Sequence, residues 1–197
     1  IEEAWKDNRE ALERDGKTLA KHVKDYLDGR RAASLVPLGK EVLDKTVESL
    51  LGQFDQEHGG FGYSPAQPLQ PKFPSPSNLE FLIYRLQHAK GKIEDSPEWK
   101  MLISQLDHMA MGGIRDHLGG GFHRYSVDRY WWIPHFEKML YDNGQLASVY
   151  SEAYKLTGDE EYKQVVEELL AFVQREMTGE EGGFYSALDA DSEGEEG

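Results

Sequence analysis

The chain is 197 residues long, enough for one domain with its own core, and its 39% apolar and 29% charged residues are the balance of a globular rather than a disordered protein. Twenty-two basic against 36 acidic side chains give a net charge of −14, which argues against nucleic-acid binding through phosphates, and no apolar run approaches the ~20 residues that cross a bilayer. With no cysteine there is no disulfide and no thiol chemistry, a composition that suits the cytoplasm, where the protein is expected.

From the N-terminus, Trp5, Leu12, Leu19 and Tyr26 recur seven apart and predict a helical stripe, with Asp15-Gly16 as a possible break. Gly29 and Pro37 separate this segment, residues 1–36, from the rest, residues 37–197. Leu43, Val47, Leu50 and Phe54 mark the next helix. Ser77 with Glu80 reads as a capping box for a helix through Leu79, Leu82, Ile83 and Leu86. Ser96-Pro97 opens a helix carrying Met101, Leu102, Leu106 and Met109, closed by Gly112-Gly113. Pro134 is expected to start a long helix through Phe136, Met139, Leu140, Leu146 and Tyr150 that stops at Gly158. Asp159 caps the last, with Val165, Leu169 and Phe172 on its apolar side. No alternating strand pattern stands out, so the fold class is all-α with negligible sheet.

A Gly-Gly-Phe triplet followed shortly by serine recurs at Phe61 (Ser64), Phe122 (Ser126) and Phe184 (Ser186), 61 and 62 residues apart, with two helices per interval. Such self-similarity predicts stacked helical hairpins whose apolar faces are buried by their neighbours. Short turns join the helices within a pair, and long loops near residues 56–76, 112–134 and 178–197 join the pairs. In antiparallel helices all three loops fall at one end, where a scaffold positions a site. The chain begins at Ile1 and stops inside an acidic glycine-rich run, so both ends read as cut and the chain as a piece of a longer protein.

The stretch from Phe122 to Tyr141 holds seven of the 22 aromatic residues, interleaved with charges. His135 and Glu137, placed in the first turn of the expected helix, are candidates for general acid and base, with Asp128 in the loop as a third catalytic candidate. Arg124, Tyr125, Trp132, Tyr141 and Asp142, with Asp189 and Asp191 from the third loop, are candidates for ligand binding. A packing alternative stays open, in which Arg124 pairs with Asp128, Lys138 pairs with Asp142, and the aromatics fill the loop. Asp189, Asp191, Glu193 and Gly194 imitate the start of a calcium loop, but position twelve falls past Gly197 and no helix–loop–helix frame surrounds them; no metal and no cofactor is assigned.

PKFPSP at Pro71–Pro76, GGIRDHLGGGFHRYS at Gly112–Ser126, PHFEKMLYDN at Pro134–Asn143 and GGFYSALDADSEGEEG at Gly182–Gly197 together resemble the thioredoxin-domain-containing, spermatogenesis-associated family of uncharacterised proteins. The resemblance implies an (α/α)6 toroid of the six-hairpin glycosidase and N-acylglucosamine 2-epimerase type, of which about three of six hairpins are present. It also implies that residues 1–36 leave an upstream thioredoxin-like domain. The implied ligand is a small molecule or glycan, with the remainder of the full-length chain as partner and neither nucleic acid nor membrane. A carbohydrate-active isomerase, epimerase or hydrolase is one implied role; a non-catalytic toroid holding a glycan, peptide or protein is the other.

Overall fold

The computed structural model describes residues 8–33, 39–64, 66–67, 70–192 and 194–196. Among them are six helices, α1 (Arg9–Ala33), α2 (Lys40–Gly52), α3 (Pro76–Gln87), α4 (Pro97–Met111), α5 (Leu140–Thr157) and α6 (Glu160–Glu176), with strand pairs only two residues long. The chain divides into two compact units, Ile1–Leu43 and Asp44–Gly197.

In the first unit α1 runs unbroken through Asp15-Gly16. A glycine inside a helix costs only about 1 kcal/mol against alanine, too little to stop 25 residues. Leu19 and Tyr26 on the expected stripe are exposed. Trp5 and the expected boundary at residues 36–37 lie outside the described residues.

In the second unit the helices pair as the repeat requires. Leu79, Leu82, Ile83 and Leu86 of α3 share a core with Met101, Leu102, Leu106 and Met109 of α4, and Leu146, Val149, Tyr150 and Ala153 of α5 join them. Helix α6 adds Tyr162, Val165 and Leu169. Two buried hydroxyls are tied off inside this core. The Tyr150 hydroxyl donates to the Leu106 carbonyl at 2.9 Å and the Tyr162 hydroxyl to Asp107 at 2.6 Å. Ser96 accepts from the Trp99 N–H at 3.2 Å and Asp159 from the Glu161 N–H at 3.0 Å, the two caps expected from sequence. The capping box at Ser77 does not form: the N-cap lies two residues earlier, at Ser75, which is left-handed and makes no side-chain cap bond, and Pro76 opens α3.

The larger correction concerns residues 134–139. They are extended rather than helical, and α5 begins at Leu140. Strand β1 (Tyr125–Ser126) pairs with β2 (Pro134–His135), and β3 (Lys138–Met139) pairs with β4 (Ala187–Leu188). His135, Glu137 and Lys138 therefore alternate sides of an extended strand instead of winding round a first helical turn.

The cause lies in the repeat. Each Gly-Gly-Phe phenylalanine bridges back to the chain just after the preceding helix: Phe54 to Phe61, Arg115 to Phe122, Thr178 to Phe184. The turn so closed is organised in the first two repeats by a carboxylate. Asp55 accepts N–H groups from Glu57 and His58, and Asp116 accepts them from Leu118 and Gly119. A lysine from the far end of the same long loop then plugs each turn. Lys72 reaches Asp55 at 2.8 Å and the Gly59 carbonyl; Lys138 reaches Asp116 at 2.7 Å and the Gly120 carbonyl at 2.9 Å. Each ammonium also sits over an aromatic ring, Lys72 over Trp131 at 5.4 Å and Lys138 over Phe172 at 4.5 Å. Lys138 thus pairs with Asp116, not with Asp142. The glycines are needed for closeness: at Gly121, φ is +76° and a Cβ would collide with the Phe172 ring.

Burial alone would raise the Asp55 carboxyl, but the hydrogen bonds from Arg129 and Lys72 outweigh it and hold the group far below the carboxylate range. Its folded value is depressed, so the stabilisation is present above the unfolded value near 3.8 and is lost as pH falls below it. Asp55 and Lys72 are 1% and 4% exposed, so removing one partner strands a buried charge. Asp55→Ala is expected to lose about 3–5 kcal/mol in denaturant unfolding. A loss within 1 kcal/mol would show that the lock is not what holds the loop.

Candidate active site

Strand alternation sends Lys138 inward to Asp116 and leaves Glu137 on the other side, where Arg124 donates to it at 2.7 Å. The Arg124 N–H also donates to the Glu137 carbonyl at 2.8 Å, so this ion pair is built on backbone pairing. His135 lies 3.8 Å from the Glu137 carboxylate. Its ring stacks on Tyr125 at 4.7 Å between centroids and 18° between planes. The Tyr141 hydroxyl neighbours Arg124, and Asp142 feels the charges of both Arg124 and Glu137. Six of the expected residues, Arg124, Tyr125, His135, Glu137, Tyr141 and Asp142, therefore come together. Asp189 follows Leu188, whose strand partner is Lys138, and so stands across from Glu137 at the end of that ladder.

Three expected residues do not join them. Asp128 accepts the N–H groups of Tyr130, Trp132 and Ile133, capping the tip of the β1–β2 hairpin, and does not pair with Arg124. Trp132 stands at that tip, 71% exposed. Asp191 opens β5 (Asp191–Ser192), which pairs with β6 (Glu195–Glu196) in a further hairpin. A groove of about 650 Å³ beside Arg115, His117, Glu161 and Glu168 contains none of the expected residues.

Sequence reasoning also missed contributors. Phe73 packs against Tyr125 with ring centroids 4.9 Å apart and planes tilted by 34°, adding the first long loop to the cluster through its PKFP motif. Asn143 is fully buried and ties loop to helix: its side chain accepts from the Phe122 N–H at 2.8 Å and donates to the Phe122 and Met139 carbonyls at 3.0 and 2.9 Å. Only its place beside the aspartate in the YDN run hinted at this.

Asp142 differs electrostatically from every other acid in the cluster. It is buried in the first turn of α5, and its Oδ2 has no hydrogen-bond partner among the described residues. Burial pushes its carboxyl up to about 6, and the attraction of Arg124 recovers only part of that cost. A carboxyl poised near neutrality in the field of an ion pair can move a proton. His123, held through Nδ1 to the Phe136 carbonyl at 3.0 Å, is pushed the opposite way by burial and favours its neutral form.

No protein-family profile matches the chain. It is 43% identical over 203 residues to human spermatogenesis-associated protein 20, with all of this chain and 24% of that protein aligned. It is 49% identical over 145 residues to the mouse protein of that name, covering 73% of this chain and 18% of the other. An uncharacterised protein of Caenorhabditis elegans is 39% identical over 196 residues, 98% of this chain and 25% of that one. The chain thus spans about a quarter of the length of the curated relatives it matches. Among solved structures it is similar to a sugar epimerase from a ruminal bacterium, with a TM-score of 0.61, 18% identity, and 73% of this chain and 37% of the other covered. It is also similar to cellobiose 2-epimerase from Spirochaeta thermophila, with a TM-score of 0.56, 18% identity, and coverage of 78% and 41%. The identities show the fold alone: part of an (α/α)6 toroid built of helical hairpins. By sequence, the chain is homologous to a segment of spermatogenesis-associated protein 20.

The Asp142 environment has a measurable consequence. Its folded value, about 6, lies above the ordinary aspartate value of 3.8, so the native state loses stability as pH rises from 3.8 to 6 and keeps that loss above. Allowing for water at the carboxyl, the penalty at pH 7 is roughly 1–2 kcal/mol. Asp142→Asn is expected to raise the melting temperature at pH 7 and to change it little at pH 3.5. A lower melting temperature at pH 7 would mean that the ionised carboxylate stabilises the fold.

Proposed function

We propose that, in a homologue of this kind, the cluster around Glu137 is one wall of a carbohydrate site that isomerises or epimerises a reducing sugar, with residues from the rest of the full-length protein closing the cavity. The observation that carries this reading is Asp142, a buried acid raised to about 6 in the field of the Arg124–Glu137 pair, with His135 3.8 Å from the Glu137 carboxylate. Proton exchange at the carbon beside a sugar carbonyl needs a base for the C–H, an acid for the carbonyl oxygen, and a cation near the charge that develops. Asp142, neutral below about pH 6, is the acid. His135 is the base, oriented by Glu137, and Arg124 meets the developing charge. Tyr125, Tyr141 and Asp189 contact hydroxyls.

The fold alone does not carry a function, since one architecture hosts many sites. It does set the class to test, because its relatives in shape include a D-mannose isomerase, with a TM-score of 0.53 and 14% identity over 78% of this chain and 44% of that one. On the same reading, residues 1–36 are the exit from an upstream thioredoxin-like domain. A second reading, a toroid that holds sugar without converting it, is favoured by one fact: Arg124 is already engaged by Glu137 at 2.7 Å.

The full-length protein incubated with D-mannose or cellobiose in D2O is expected to place deuterium at C2, followed by proton NMR. Asp142→Asn and Glu137→Gln should each lower that rate by about 10²-fold or more. Above about pH 6 the rate should fall as Asp142 loses its proton. Sugar binding without exchange would select the second reading, and exchange undiminished in Asp142→Asn would remove Asp142 from the chemistry.

A further inference from the structure

The hairpin between β1 and β2 carries the cluster at its base and something different at its tip. Asp128 gathers three backbone N–H groups there, from Tyr130 at 2.5 Å, Trp132 at 3.3 Å and Ile133 at 2.6 Å. The next constraint is Trp131, fully buried with φ at +67°, a left-handed backbone that a bulky L side chain rarely takes. Its indole Nε1 donates to the His58 carbonyl at 2.9 Å, and its ring lies against Gly60 and beside the Lys72 ammonium of the first lock. Behind it the chain is pressed onto Gly112 and Gly113. A Cβ at Gly112 would lie 2.6 Å from the Trp131 carbonyl oxygen, and one at Gly113 would collide with that of Trp132. The Gly-Gly pair, Asp128 and Trp131 thus serve one geometry, and a strained backbone persists only where its surroundings over-determine it.

What that geometry displays is a pair of aromatic rings. Trp132 is 71% exposed and Tyr130 43%, with centroids 5.2 Å apart and planes tilted by 33°. The His58 ring meets Tyr130 edge-on at 4.7 Å and lies 3.6 Å from the mostly exposed Glu57 carboxylate, which Arg129 holds at 3.2 Å. Burying these rings would be the cheaper use of them, since each is worth about 150–250 Å² of apolar contact.

We propose that Tyr130 and Trp132 form a sugar-stacking shelf, receiving the second ring of a saccharide whose reducing end lies at the Glu137 cluster; this rests on the carbohydrate reading above and extends it from monosaccharides to disaccharides or longer chains. The flat C–H face of a pyranose matches an aromatic face, and a neighbouring carboxylate accepts its hydroxyl protons. The net charge of −14 disfavours a nucleic-acid base as the stacked ring. Two rings offer a few hundred Å² at most, short of the ~800 Å² per partner of a stable protein interface. Tyr130 and Trp132 stand at the tip of the same β1–β2 hairpin whose base pairs Tyr125 with His135 of the cluster.

The test uses the full-length protein, with cellobiose and D-mannose as probes of affinity and deuterium exchange. Trp132→Ala is expected to weaken cellobiose about tenfold while leaving D-mannose within twofold and the melting temperature unchanged. Asp128→Ala, which frees the tip without touching a ring, should give the same selective loss for cellobiose. Equal effects on both sugars, or no effect on either, would overturn the shelf while the Asp142 chemistry stands. A Trp132→Ala protein that melts several degrees lower, or changes oligomeric state, would overturn it too, showing that protein covers the ring. If the unaltered protein neither binds nor exchanges either sugar, the carbohydrate reading fails and the shelf with it.

Discussion

A lysine ammonium buried under a glycine turn is the contact on which the rest of the second compact unit depends. Lys72 and Lys138 each enter a turn organised by an aspartate, satisfy a glycine carbonyl, and rest on an aromatic ring. A buried ion pair of this kind does little for net stability against an apolar replacement, but it specifies geometry, because a charge so placed has no acceptable alternative position. In each case the lysine returns from the far end of a long loop, so the loop is closed on itself. The same lysines sit on the strand bridges that tie one long loop to the next, Lys72 to Ser126 and Lys138 to Leu188. The turn glycines complete the arrangement: a Cβ at Gly59 would lie 2.9 Å from Gln105 Cα on α4, and one at Gly120 would lie 2.8 Å from the Glu168 carbonyl on α6.

From that anchor the candidate site follows by alternation. With Lys138 fixed inward, Glu137 faces the opposite side and meets Arg124, and His135, two residues back, falls on the same side. Helix α5 then starts at Leu140 and brings Asp142 beneath the pair. Asp116, pulled down to about 2 by Lys138 and its turn N–H groups against the cost of burial, and Asp142, pushed up to about 6 by burial, are two aspartates on either side of one strand with opposite protonation preferences. The first stabilises the fold and the second weighs against it, which is the division expected where a structure supports a site.

The hairpin repeat, the core positions and the caps at Ser96 and Asp159 were legible in the sequence because they are local: a period, an apolar stripe, a side chain three residues from its N–H. The Gly-Gly-Phe phase, read as a repeat of hairpins, coincides with the bridges at Phe61, Phe122 and Phe184, which the repeat alone did not indicate. What was not legible is non-local. Lys72 with Asp55 and Lys138 with Asp116 are separated by 17 and 22 residues, although the aspartates stand 61 apart, in phase with the glycines. Residues 134–139 carry good helix formers and read as a helix start; pairing with Tyr125–Ser126 and Ala187–Leu188 overrides that propensity. Asp128, read as catalytic, holds backbone N–H groups two, four and five residues on, a turn-capping role that aspartates commonly take.

The central claim is that this lock leaves Asp142 as a carboxyl that titrates near neutrality beside the Arg124–Glu137 pair. Carbon-13 NMR of aspartate-labelled full-length protein, compared with its Asp142→Asn variant across pH 3 to 8, measures this directly. One carboxyl resonance titrating near pH 6, absent from the variant, is the predicted result. Spectra in which the Asp142 resonance titrates at or below the ordinary aspartate range would contradict it.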